Sequence, residues 1–164
     1  MPQRPTKARP SRPKRRPASK PPAEPLLRPS DVRTIVSDLC TQLAPADVAA
    51  LMNEEKTLRA RAAELPTPHL SLLRDQLGLA LDCLRDHLDG RCPQIPYYTI
   101  SLIGAALLYF TDEFDAIPDF LPEIGHLDDA VVMAMAFELG ADGLRRYCDF
   151  KDIDATGLLP PRRS

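Results

Sequence analysis

The chain has 164 residues, enough for one domain with a modest core. Its formal net charge of −2 averages two unlike parts: residues 1–29 hold nine Lys/Arg against one acid, Glu24, whereas from Ser30 onward 12 basic residues meet 22 acids. No apolar run follows the basic start, which argues against a secretory leader, and four cysteines without a CxxC pair (Cys40, Cys83, Cys92, Cys148) argue against a disulfide framework or a zinc ribbon.

Residues 1–29 carry nine of the 18 prolines and few apolar side chains. Such a stretch cannot offset the entropy of ordering, so it reads as a disordered Pro/Lys/Arg-rich arm. Clustered Lys/Arg suits nucleic acid or an anionic membrane surface. No aromatic residue is interleaved for base stacking, which favours a solvating role for the arm. The run Arg12–Arg16 also has the composition of a nuclear-localisation patch, a pattern common by chance.

From Ser30 the spacing predicts an all-α small bundle of about five helices over residues 30–150. Ser30 or Asp31 caps a first helix to about Leu43, with Val32, Ile35, Val36 and Leu39 on one face. Pro45 opens a second through Ala46–Glu64, whose charged second half marks a solvated face. Thr67 and Pro68 make a helix start for a third, in which Leu70, Leu73, Leu77, Leu81, Leu84 and Leu88 form a stripe and Asp82, Arg85 and Asp86 fall largely between; Gly90 ends it. The fourth, Tyr97–Phe110, is apolar nearly all round, which requires burial in protein or lipid, yet it is short of the roughly 20 residues of a spanning helix. The fifth runs from Leu127 to Cys148, and Gly104, Ala105, Ala106, Ala134 and Ala136 would let it approach the fourth closely. Residues 151–164 read as a flexible tail.

The segment between the two apolar helices, Asp112–Asp129, stands out. With its flanks it carries seven acids (Asp112, Glu113, Asp115, Asp119, Glu123, Asp128, Asp129) and no Lys or Arg. Ile117, Phe120, Leu121, Ile124 and Leu127 alternate with them and would hold the carboxylates against a packed surface, where repulsion is less screened. Pro118 and Pro122 restrict the backbone and Gly125 permits a left-handed turn.

Leu108, Tyr109, Phe110, Asp115, Ile117, Pro118, Asp119, Phe120, Pro122, Gly125, Leu127, Asp128, Asp129 and Ala130 together resemble the pattern of the YkvA-like family (domain of unknown function 1232), a small helical domain found mainly in bacteria. The resemblance covers about residues 95–140; Glu113 departs from it, standing where many members have proline. It implies a fold and a membrane association, but no activity. A related domain occurs in a membrane-bound ubiquitin ligase, and this chain has no RING-type Cys/His pattern to carry ligase activity over.

Two functions are weighed on these residues. The first is a binding or scaffold module, with Tyr109, Asp115, Ile117, Pro118, Asp119, Phe120, Pro122, Gly125, Asp128 and Asp129 forming a rigid corner for a protein partner or a membrane surface, the carboxylates capping helix ends. The second is a divalent-metal-dependent, hydrolase-like enzyme in which Asp115, Asp119, Asp128 and Asp129, with His126, supply oxygen-rich ligation for Mg²⁺, Mn²⁺ or Ca²⁺. Beyond that ion, no cofactor is expected. Ser-His-Asp order, a Gly-rich phosphate loop and HExxH are all missing, and His69, His87 and His126 stand isolated. Cys83, His87 and Cys92 come nearest to zinc spacing but lack a fourth ligand. The expected location is cytoplasmic or membrane-associated.

Overall fold

The structure, a computed structural model, describes residues 28–66, 68, 70–111 and 126–162. Seven helices occur among them: α1 Pro29–Gln42, α2 Pro45–Asn53, α3 Glu55–Ala63, α4 Ser71–Leu88, α5 Tyr97–Thr111, α6 Leu127–Leu139 and α7 Ala141–Lys151. The all-α expectation holds; apart from helices, the described chain shows one isolated bridge, between Thr156 and Leu159.

Seven helices replace five because two expected helices each turn a one-residue corner. The expected Ala46–Glu64 helix breaks at Glu54 (φ −92°, ψ 9°), whose N–H bonds back to the carbonyls of Leu51 and Met52. The expected Leu127–Cys148 helix breaks at Gly140 (φ −93°, ψ 8°). A β-carbon on Gly140 would stand 3.1 Å from the Ala136 carbonyl oxygen and 3.4–3.5 Å from Thr99 and Leu102, so the corner lies hard against α5. The third expected helix also starts later than Thr67-Pro68. Pro66 and Pro68 carbonyls accept the N–H groups of Leu70 and Ser71 in a turn, and α4 begins at Ser71.

Gly90 ends α4 as its position suggests. It sits at φ 70°, its N–H bonds to the His87 carbonyl, and the Arg91 N–H reaches Asp86, the pair of bonds of a Schellman close.

Helix α5 is the axis of the bundle. Residues Thr99–Leu107 and Phe110 are all buried, and α1, α2, α4, α6 and α7 pack around it. Its apolar circumference is therefore satisfied by protein. Five of the six expected α4 leucines are buried with it, while Leu88 stays exposed. Two of the five small residues work differently from the expectation. Gly104 faces Leu43 and Val48 of the α1–α2 side, and Ala134 is exposed, so neither mediates α5–α6 packing.

Outside the apolar core, ionic contacts fasten helices. Glu55 of α3 accepts Arg85 Nε of α4 at 2.8 Å, and Arg59 reaches Asp82 at 2.6 Å. The stretch expected as a tail is described to Arg162: Gln76 Nε2 donates to the Leu158 carbonyl at 3.1 Å, Arg145 donates to the Pro160 carbonyl, and Leu158 and Leu159 lie against the core.

Candidate functional site

Two arms of the expected motif are described, the end of α5 and the start of α6. Asp115, Ile117, Pro118, Asp119, Phe120, Pro122 and Gly125 lie outside the described residues, as do Thr67 and His69. Tyr109 is half-buried against the core at the end of α5, one residue before the buried Phe110. Arg61 of α3 stands over the Phe110 ring, 4.8 Å from its centroid, and the His126 ring lies 6.2 Å from it on the far side of the connector. These contacts bring the two ends of the motif together over one aromatic side chain.

Asp128 and Asp129 occupy the first turn of α6, only 5% and 3% exposed. Carboxylates suit the positive end of a helix dipole. They are not its cap, however: His126 takes the N-cap position, with no side-chain cap hydrogen bond. His126 Nδ1 lies 3.1 Å from Asp129 Oδ2. Asp128 Oδ2 is buried with no hydrogen-bond partner among the described residues, and burial holds its carboxyl above the usual carboxylate range. Among the described residues no three His, Cys, Asp or Glu side chains are grouped to hold a metal ion. That includes Cys83, His87 and Cys92. The Cys83 thiol is pushed up to about 12 by burial, and the His87 ring packs near Tyr97.

On the opposite side of α6 runs a second feature. Leu127 and Val131 are 49% and 42% exposed, and Ala134 is exposed beyond them. Offsets of four and seven residues put the three on one face, and Glu138 is the first charged residue along it. Leu108, 39% exposed at the end of α5, is a further apolar group in the hairpin. The sequence signal was available in Ala130–Phe137. That block is apolar on every side, which would suit full burial, yet the bundle covers only part of its circumference.

A third feature goes beyond the leucine spacing, which places Asp86 only between the stripe positions of α4. Asp86 is buried. Its Oδ2 accepts the Tyr147 hydroxyl and Lys151 Nζ, both at 2.9 Å, and its Oδ1 accepts Arg91 Nη1 at 2.9 Å. Lys151 foremost, then Tyr147 and Arg91, hold its carboxyl below the usual range against the opposing effect of burial. Both oxygens are engaged, so the cluster ties α4 to α7 and leaves no open ligand position.

Residues 99–135 match the family described as "Protein of unknown function (DUF1232)". Over these residues the chain is similar to that family. The match begins at Thr99, in the buried part of α5, and ends at Met135 in α6. The matched segment thus includes Phe110 and His126, the buried Asp128 and Asp129, and the exposed α6 face. Among curated proteins, the chain is 36% identical over 64 residues to "Uncharacterized membrane protein YkvA" of Bacillus subtilis (strain 168). That alignment takes in 39% of this chain and 60% of the relative's length. No solved structure matches the chain significantly.

Proposed function

We propose that this protein is a binding module that docks on a membrane surface through the outer face of its α5–α6 hairpin. The observation that carries the reading is the uncharged exposed row Leu127, Val131 and Ala134 on α6. Apolar side chains gathered on one helix face, with polar groups elsewhere, suit insertion at the headgroup boundary. The name of the Bacillus subtilis relative supports a membrane setting. Sequence alone drew attention to α5 as the lipid-contacting element; its burial moves the proposed contact to α6. No single helix among the described residues is long and apolar enough to cross a membrane.

Flotation of the full chain with lipid vesicles tests the reading. Wild type should float with the vesicles, and Leu127→Asp combined with Val131→Asp should stay at the bottom with an unchanged melting temperature. A wild-type protein that never floats at moderate salt would remove the proposal.

A second reading is favoured by the partnerless oxygen of Asp128. In it, Asp115, Asp119, Asp128 and Asp129 bind Mg²⁺ or Mn²⁺ as the centre of a hydrolase-like site. Titration calorimetry with each ion decides it: no heat, together with no shift in melting temperature, rejects the site.

A further inference from the structure

The exposed face of α6 is aliphatic over three helical turns. Leu127, Val131 and Ala134 form its centre, and the half-buried Ala130 and Met135 border it on either side. The first charge along that face is an acid, Glu138, one turn beyond Ala134. Cations are missing from the surrounding sequence: no Lys or Arg stands between Arg91 and Arg145. Arg61 of α3 approaches the hairpin, but it lies over the Phe110 ring, 4.8 Å from the centroid. Beyond Glu138 a groove sets four arginines against three acids, close to balance.

A membrane contact draws on three kinds of attraction. Basic side chains pair with phosphate headgroups, Trp and Tyr anchor at the headgroup level, and aliphatic side chains enter the acyl region. The α6 face offers only the third. The charged residues of its helix are Asp128, Asp129 and Glu138, all acids, so a negative surface would gain nothing from it. Leucine, valine and alanine side chains are also short, and they meet acyl chains most readily where headgroups stand apart.

We infer that this face selects a bilayer by loose packing rather than by headgroup charge. Its partner is a zwitterionic membrane whose acyl chains are exposed by curvature or by small-headgroup lipids. The inference rests on the membrane-docking reading and names the kind of bilayer.

The test floats the full chain with phosphatidylcholine vesicles about 30 nm and about 200 nm across. Wild type should bind the small vesicles about tenfold more tightly, and about 0.5 M salt should leave that preference unchanged. Large vesicles should gain binding from about a third phosphatidylethanolamine and, at about 0.5 M salt, none from as much phosphatidylglycerol. Leu127→Asp with Val131→Asp should remove binding to the small vesicles. Ala134→Leu, which extends the apolar face, should tighten it about tenfold. Equal binding to small and large phosphatidylcholine vesicles, still lost in the Leu127→Asp, Val131→Asp protein, would overturn this inference and leave the docking reading standing. Binding that needs phosphatidylglycerol and disappears at about 0.5 M salt would overturn it as well. No binding to any vesicle would overturn both.

Discussion

The Tyr147 hydroxyl of α7 donates to the Asp86 carboxylate of α4 at 2.9 Å, in an interior position 61 residues away along the chain. Tyr147→Phe should cost about 1.5–3 kcal/mol in urea unfolding, the range for a hydrogen bond to a charged group. Asp86→Ala should cost more, because it strands Lys151 and the tyrosine hydroxyl together.

Two of the three buried carboxylates among the described residues, Asp86 and Asp128, should respond oppositely to acid. Asp86 has its folded pKa below the ordinary 3.8, so its stabilisation is complete above that value and is lost as pH falls through the folded pKa. Asp128 has its folded pKa raised, so its charged form opposes folding at neutral pH, and protonation as pH falls through the folded pKa relieves this. Asp128→Asn should therefore raise stability at pH 7 by about 1 kcal/mol, a burial penalty removed. Asp86→Asn should lower it. Unfolding curves between pH 3 and pH 7 would separate the two, and a destabilised Asp128→Asn would refute the assignment.

Two glycines at close helix contacts should differ sharply on substitution. A β-carbon on Gly143 would stand 2.1 Å from Thr99 Oγ1 and 2.8 Å from Thr99 Cβ, the latter bonded directly to the α5 backbone and unable to rotate away. Gly143→Ala should thus destabilise by about 1–3 kcal/mol despite its better helix propensity. On Gly104 the same carbon meets Leu43 Cδ2 at 2.7 Å, the free end of a side chain that can turn away, and Val48 Cγ2 at an ordinary 3.8 Å. Gly104→Ala should be within about 1 kcal/mol of neutral. Combining Gly143→Ala with Thr99→Ala should recover part of the loss, a non-additivity that melting curves would reveal.

Cysteine labelling should report the core directly. Desolvation raises all four thiols, but Cys83, Cys92 and Cys148 are buried whereas Cys40 is only partly so. Iodoacetamide in mild alkali should modify Cys40 first and the other three only as the protein unfolds. Mass spectrometry of the native protein would check the order. Early modification of Cys83 would contradict its place in the α4 core.

The fold class was legible because its signals are local. The leucine spacing of α4, the stop at Gly90 and the charge-free run of α5 each depend on a few neighbouring residues. The corners at Glu54 and Gly140 were not, since the Gly140 corner answers to Thr99 and Leu102, far away in sequence. The role of Asp86 was not legible for the same reason: its counter-ions come from Arg91 and Lys151. Of the motif, Asp128 and Asp129 sit in a helix start as expected, but their near-complete burial follows from tertiary packing that no spacing rule carries.

The burial of Thr99–Leu107 in α5 also sets a smallest workable length for the protein. Residues 99–135 hold only one hairpin, and the side chains that cover its inner helix come from α1, α2, α4 and α7. Excised, the hairpin would expose Ile100, Leu102, Ile103, Leu107 and Phe110 at once and would be expected to aggregate. On the C-terminal side, chain cut before Lys151 would remove one of the charges that balance Asp86 inside the fold. A stable recombinant fragment should therefore begin no later than α1 and extend at least through Lys151, more than three times the length of the matched segment.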